Sequence, residues 1–172
     1  SVPETDTPLM RLKHYLVDQD IQEAITYSFT DPETQVVLGD GIAGVRLANP
    51  IASNLAEMRR SLLPGLVEAV RHNVNRQASR VRLFETGQCF ISQGDELDQS
   101  ERVGIAIYGQ SYPLHFSGDR AVDFFDLKGV IDGLGMINGG GELNWAPSEH
   151  PALAPGQTAS VRLDGKVLGV VG

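Results

Sequence analysis

The sequence is poor in the residues that define several classes of protein. Its single cysteine, Cys89, excludes an internal disulfide framework and a cysteine-rich zinc site. No apolar run is long enough to span a membrane. Basic residues are also scarce, because 14 Lys and Arg stand against 22 Asp and Glu, for a net charge of −8. Since general affinity for nucleic-acid backbones needs clustered Lys and Arg, this balance of charge argues against it.

The composition that remains is that of a globular domain. The 172 residues are 41% hydrophobic and 21% charged, and a chain of this length can bury a substantial core. Residues 1–6 are polar and include a proline, which predicts a linker. The sequence therefore predicts one domain over residues 7–172.

The middle of the chain has the clearest pattern. Side chains alternate over Leu55–Arg59, which predicts a half-buried strand. Ser61 is predicted to cap the next helix, with Pro64 in its first turn. Val81 begins a second alternating run, in which Gly87 suggests a bulge. The helix between the two runs is predicted to extend to about residue 76 and to carry one apolar stripe, formed by Leu63, Leu66, Val67, Val70 and Val74.

Elements on either side complete the predicted sheet and its helices. Thr7 and Pro8 are typical of a helix start, and Asp31-Pro32 of another that ends near Leu38. Further predictions follow in chain order: a strand over 24–29, a brief strand over 45–47, a strand over 103–108, a helix from 123 that ends at the glycines 139–141, a short strand over 142–145, and a closing hairpin over 159–171 that turns at Asp164-Gly165.

Six short stretches carry a family resemblance. Three lie in the middle of the chain: Asn49-Pro50, Met58-Arg59-x-Ser61-Leu62-Leu63-Pro64-Gly65-Leu66 and Arg82-Leu83-Phe84-Glu85-x-Gly87. Three more agree in order: Gln22-Glu23-Ala24-Ile25-Thr26-Tyr27-Ser28-Phe29, Asp123-Phe124-Phe125-Asp126-Leu127-Lys128-Gly129 and Gly165-Lys166-x-x-Gly169. Together they resemble the beta chain of bacterial phenylalanyl-tRNA synthetase, in the part that copies the class II synthetase fold without carrying catalysis.

The resemblance implies a fold and a role. The fold is α+β, a mostly antiparallel sheet flanked by helices, as in the class II aminoacyl-tRNA synthetase core. The role is that of a non-catalytic module, which pairs with the catalytic alpha chain and helps it to charge tRNA-Phe in a cytoplasmic assembly of two alpha and two beta chains. ATP and magnesium would be held by the alpha chain, so no cofactor or metal site is expected here. Because the family continues past Gly172, the chain is expected to be a piece of a longer protein, truncated at its C-terminal end.

The pattern of charge also argues against catalysis in this chain. Class II active sites bind ATP mainly through arginines, yet positions 83–101 contain no Lys or Arg. The hairpin there carries carboxylates that repel a triphosphate: Asp95, Glu96, Asp98 and Glu101. The sequence therefore predicts no catalytic residue. The alternative is a stand-alone class II-type ligase that uses ATP to activate a small carboxylic acid.

Two apolar segments are candidates for the subunit interface. The first helix presents Leu9, Leu12 and Leu16 on one face, and the strand after it contributes Tyr27 and Phe29. The resemblance implies that these two elements lie at the subunit interface, as they do in class II folds. The alternative is that the leucines pack on the domain's own sheet.

Two further pairs are candidates for structural roles. Glu85 shares a strand face with apolar residues, so its carboxylate needs a partner, and Arg59 is predicted to supply it as a structural ion pair. A relic of a substrate pocket is the functional alternative. Phe124 and Phe125 are adjacent on a predicted helix and diverge by about 100°, so one of them is a candidate for contact with another domain. Core packing from two directions is the alternative.

The remaining reactive residues do not form a recognisable site. His14, His72, His115 and His150 lack the spacing of metal ligands. Cys89 lies in a predicted strand without a neighbouring base, which favours a buried structural role. The glycines between Gly133 and Gly141 close a helix, whereas those of a dinucleotide fingerprint open one.

Overall fold

A computed structural model describes residues 7–94, 96–111, 120–137 and 141–172, without the side chain of Gln93. The predicted linker over residues 1–6, Asp95, His115 and the glycines 139 and 140 lie outside these residues. The chain forms two compact units. One contains residues 1–23 and 110–172, and the other contains Ala24–Gly109.

The described elements are helices and mostly antiparallel strands, as expected for the predicted α+β class. In chain order they are α1 (Pro8–Asp18), β1 (Gln22–Glu23), β2 (Phe29–Thr30), α2 (Pro32–Leu38), a 3-10 helix (Ser53–Leu55), β3 (Glu57–Met58), α3 (Leu63–Val74), β4 (Arg80–Gln93), β5 (Glu96–Gly109), α4 (Phe124–Ile137), β6 (Asn144–Pro147), β7 (Ala159–Leu163) and β8 (Lys166–Val171).

A long hairpin dominates the unit Ala24–Gly109. β4 and β5 pair antiparallel in unbroken register from Arg80 opposite Gly109 to Gln93 opposite Glu96. Gly87 lies opposite Arg102 within this regular ladder, so the predicted bulge is wrong. The glycine serves a different purpose, since a Cβ at Gly87 would overlap the guanidinium of Arg59. Its missing side chain makes room for that arginine.

Helix α3 packs on the hairpin and forms the core of this unit. Leu62, Leu66 and Cys89 are buried together there, with Ala24, Leu83 and Ala106 packed around them. Pro64 lies in the first turn, as predicted. The predicted cap is corrected by one residue, because the N-cap is Leu62 and has no side-chain cap bond. The Ser61 hydroxyl still accepts a hydrogen bond from the Leu63 amide at 3.1 Å.

Three predicted strands in this unit are shorter than the alternating pattern suggested. The strand over 24–29 is reduced to β2, which pairs with β3, and the one over 55–59 is reduced to β3 after a 3-10 turn. Over 45–47 only Arg46 forms a bridge, with Glu57. Within 24–29 the Thr26 amide donates to the buried carboxylate of Glu85 in place of a strand carbonyl, and at the start of 55–59 the Leu55 amide donates to Ala52 O in the 3-10 turn.

The other unit contains α1, α4 and a three-stranded antiparallel sheet in the order β6-β7-β8. α1 begins as predicted, with Pro8 after the N-cap Thr7, whose hydroxyl accepts from the Met10 amide at 3.3 Å. The predicted closing hairpin is confirmed, since β7 and β8 are joined at Asp164-Gly165 with positive φ angles of 49° and 79°. Both angles fit the tight turns that connect two strands.

None of the helices in the described ranges is long and apolar enough to cross a membrane.

Candidate functional site

The predicted partners Arg59 and Glu85 meet in a buried site of the unit Ala24–Gly109. Arg59 Nη1 lies 2.6 Å from Glu85 Oε1, and the two side chains are 7% and 3% exposed. Arg59 follows β3, and its Nε also donates to the carbonyl of Gln88 at 2.9 Å. The backbone of Arg59 is held as well, since its amide donates to Ser28 O at 3.0 Å and its carbonyl accepts from Phe90 at 2.9 Å. The side chain and the backbone of Arg59 are therefore both held by contacts within this unit.

Thr26 completes the site, and sequence reasoning missed it. Its amide donates to Glu85 Oε1 at 3.1 Å and its hydroxyl to Glu85 Oε2 at 2.8 Å. Arg59 Nη1 lies 3.4 Å from the same hydroxyl. Both oxygens of the buried carboxylate are thus satisfied, as a buried charge requires. The sequence pattern did not point to Thr26, because alternation with the apolar residues Ile25 and Tyr27 would place the threonine on the solvent side.

A second buried carboxylate, Glu57, was also missed. It is 1% exposed and accepts from Gln35 Nε2 at 3.1 Å and from the Gly44 amide at 2.8 Å. Gln35 in turn accepts from the Arg60 amide at 2.8 Å. The Arg60 guanidinium lies 2.6 Å from Asp40 and, by hydrogen bonding, holds the pKa of that carboxyl below its usual range. These hydrogen bonds hold the loop before β3. The guanidinium of Arg60, like that of Arg59, is therefore paired with a carboxylate.

The hairpin end offers a poor environment for a nucleotide. Glu96, Asp98 and Glu101 are exposed there. The nearest basic residue in sequence is Arg102, whose Nε lies 3.3 Å from the Ser100 hydroxyl. Carboxylates repel phosphates, and the guanidinium groups of Arg59 and Arg60 are already engaged by acids. Cys89 is buried, and burial raises the pKa of its thiol, which opposes thiolate formation.

No cluster of three metal-binding side chains occurs in the part of the chain that the structure describes. His150 Nδ1 accepts a hydrogen bond from the Ala152 amide at 3.2 Å within a turn. His72 contacts Arg76 one turn further along the exposed end of α3. Both are local contacts, and neither gathers ligands.

The predicted interface residues differ in their accessibility. Leu16 is 0% exposed, so this leucine belongs to the core of the chain and the interface expectation for it is wrong. Leu9 is 37% exposed and Leu12 is half-buried. Tyr27 is 75% exposed, and Phe29 is half-buried where β2 pairs with β3. Sequence reasoning missed Ile25, which is 90% exposed beside Tyr27.

The two adjacent phenylalanines diverge at the start of α4, as the helical geometry predicts. Phe124 is half-buried and meets Trp145 edge to face, with ring centroids 5.8 Å apart. Phe125 is 73% exposed. Packing within the chain therefore accounts for Phe124, and contact with another domain stays a prediction for Phe125 alone.

A reciprocal cap holds that helix start. Asp123 Oδ1 accepts from the amides of Phe125 and Asp126 at 2.8 and 3.2 Å, and Asp126 Oδ2 accepts from the Asp123 amide at 2.8 Å. Arg120 binds Asp126 at 2.6 Å. This hydrogen bond lowers the pKa of Asp126 to about 2 from its ordinary value of 3.8.

Comparisons with known proteins agree with this geometry. The family model of the phenylalanyl tRNA synthetase beta chain CLM domain matches residues 4–172. The phenylalanine–tRNA ligase beta subunits of Pseudomonas putida and Haemophilus influenzae are 44% and 42% identical over 99% and 98% of the chain. The chain spans 22% of the length of each of these relatives.

A solved structure shows the same fold at much lower identity. PylSc, a pyrrolysyl tRNA synthetase from Desulfitobacterium hafniense, superposes with a TM-score of 0.60 over 93% of this chain and 56% of its own, at 17% identity. The class II synthetase-like α+β fold predicted from the sequence is thereby confirmed. The chain belongs to the family of phenylalanyl-tRNA synthetase beta chains, as its CLM domain.

Proposed function

We propose that this domain is a non-catalytic module of a phenylalanine–tRNA ligase, which packs against the catalytic alpha subunit and supports the charging of tRNA-Phe. Membership of the beta-chain family supports the role. The observation that carries the non-catalytic part is the burial of Arg59 against Glu85 beneath a hairpin whose exposed end is acidic. A guanidinium held by a buried carboxylate cannot turn to neutralise a phosphate without leaving that carboxylate unpaired.

The wider assembly follows from the same proposal. The whole enzyme would be an ATP- and magnesium-dependent aminoacyl-tRNA ligase of two alpha and two beta chains in the cytoplasm, with ATP, magnesium and phenylalanine bound by the alpha subunits. This domain would bind none of the three. Its acidity, with a net charge of −8, fits a part whose main contacts are with protein and whose RNA contacts are local.

The alpha subunit is the proposed occupant of the exposed apolar positions. Ile25 and Tyr27 stand close together in one segment, 90% and 75% exposed, and Leu9 on α1 is 37% exposed. Aromatic and aliphatic side chains of this kind are typical anchors of a protein interface. The relatives are named as beta subunits, which supports a second kind of subunit as the partner.

Co-expression with an alpha subunit tests the proposal. We expect the chain to co-purify with it and to sediment as a complex. Tyr27→Asp should weaken that association by about tenfold or more, because a charge at a buried interface position must be desolvated. Ile51→Asp is the matched control, since Ile51 is 87% exposed and lies outside the proposed interface. Failure of the wild-type chain to associate would contradict the proposed function.

A further inference from the structure

The segment Ala24–Ser28 carries the proposed interface side chains without belonging to a helix or strand. Its two ends are held by the backbone, since the Ala24 amide donates to Phe84 O at 2.7 Å and Ser28 O accepts from Arg59 at 3.0 Å. Between these ends the amide of Thr26 donates to a side chain, the carboxylate of Glu85. The segment is therefore fastened at its centre by one buried acid.

This fastening depends on several groups at once. Glu85 is 2% exposed, and its charge is balanced by Arg59 at 2.6 Å. Thr26 supplies two further donors, at 3.1 and 2.8 Å. A buried carboxylate that loses donors is strongly destabilised, so the acid and the segment hold each other in place.

The surrounding backbone is shaped to admit Thr26. Gly65 in the first turn of α3 faces it, and a Cβ at Gly65 would overlap the Thr26 hydroxyl. Gly87 on β4 does the same for Arg59. Helix α3 and strand β4 thus each have a glycine where Thr26 or Arg59 packs. Because a larger residue would displace these side chains, the two glycines help to fix the position of Thr26.

We propose that Thr26, Glu85 and Arg59 are positioning residues, which fix Ile25 and Tyr27 outward for the alpha subunit before the two chains meet. The inference rests on the proposed function, since it names what prepares that interface. Without this fastening, the residues between the two backbone hydrogen bonds would have to become ordered during association, and ordering a residue opposes binding. The ion pair therefore orders residues 24–28 before association, as well as stabilising the fold.

Hydrogen exchange on the 172-residue chain, in the absence of any partner, tests whether Thr26 and Glu85 hold residues 24–28 in place. Thr26→Val removes the hydroxyl donor, and Glu85→Gln removes the charge that both donors bind. We expect the amides of residues 24–28 to exchange about tenfold faster or more in both variants, since hydrogen bonds to a charged group are the stronger ones. Thr26→Ser keeps the hydroxyl and should exchange like the wild type.

Glu57→Gln is the matched control for loss of a buried carboxylate. Glu57 is likewise buried, at 1% exposure, but it holds the Gly44 amide. Its substitution should accelerate exchange near residues 39–44 and leave 24–28 unchanged. If Glu57→Gln and Glu85→Gln accelerate the same amides equally, the carboxylates act only on global stability and the positioning role is contradicted.

The dissociation constant for the alpha subunit then tests whether the hydrogen bonds of Thr26 affect the proposed interface. We expect Thr26→Val to weaken association about tenfold, as disorder in one or two residues of the free segment requires. Thr26→Ser and Glu57→Gln should associate like the wild type. Faster exchange in Thr26→Val with unchanged association would overturn the positioning role while the proposed function stands. A wild-type chain that does not bind the alpha subunit would overturn both, whatever the exchange rates.

Discussion

Arg59 and Glu85 depend on each other because both side chains are almost completely shielded from water. Removing one partner leaves a buried charge without compensation, which typically costs about 3–5 kcal/mol. Arg59→Ala is therefore expected to lower the free energy of unfolding by that amount, measured as a fall in the urea midpoint. Arg71→Ala is the control, since Arg71 pairs with Glu68 at 2.6 Å but the two side chains are 67% and 63% exposed.

An unchanged urea midpoint for Arg59→Ala would mean that the ion pair is not buried in solution. Equal destabilisation by Arg71→Ala would be as damaging, because it would remove the distinction between a buried and an exposed pair.

Position 87 requires a glycine because the Arg59 side chain packs against it. A methyl group there would overlap the guanidinium of Arg59, so Gly87→Ala is expected to destabilise the chain by about 1–3 kcal/mol in urea. Gly129→Ala provides the comparison, because a methyl group at this position inside α4 would meet nothing within 4 Å. That variant should be stabilised by up to about 1 kcal/mol, as expected for glycine replaced in a helix. The same sign for both changes would contradict the packing.

Single-residue roles were predictable from the sequence only in part. The pairing of Arg59 with Glu85 could be anticipated, because an acid on an apolar strand face demands a partner. Thr26 could not, since its contact joins residues 59 positions apart and depends on glycines that admit it. The burial of Leu16 was hidden as well, because a helical stripe has the same pattern whether it faces its own core or a partner.

At the scale of the elements, the start of α4 is expected to depend on pH. The hydrogen bond from Arg120 lowers the pKa of Asp126 to about 2 in the folded chain, against 3.8 ordinarily. The unfolded state therefore binds the proton more readily, so this stabilisation is complete above about pH 4 and is lost as the pH falls toward 2.

Asp126→Asn should accordingly lower the free energy of unfolding at neutral pH. The difference from the wild type should shrink as the pH approaches 2, in urea titrations at a series of pH values. A pH-independent difference for Asp126→Asn would show that its charge does not take part in the cap.

Elements with local signals were predicted well. Caps and prolines marked α1 and α2, and Asp164-Gly165 marked the last hairpin. The strands predicted over 24–29 and 55–59 were too long, because alternation of side chains records which faces are buried but not where the amides bond. In this chain the Thr26 amide donates to Glu85, 59 residues away, and the Leu55 amide donates to Ala52 O in a 3-10 turn.

At the scale of the whole molecule, order along the chain carried more information than any single motif. Six short stretches in family order predicted the class II-like fold, which the solved pyrrolysyl tRNA synthetase structure supports with a TM-score of 0.60. Composition alone indicated only a globular domain. The division into two compact units was not predicted, because one unit is built from two segments far apart in sequence, residues 1–23 and 110–172.

Phenylalanine-dependent exchange of pyrophosphate into ATP tests the central claim, that the domain is catalytically silent. Removing one preorganised donor commonly costs about 100–1,000-fold in rate, and residues 83–101 provide no cationic side chain at all. We expect the purified chain to show no exchange above background at millimolar ATP, under conditions in which an assembled phenylalanine–tRNA ligase is active. Exchange in a preparation free of alpha subunit would contradict the account and favour a stand-alone ligase.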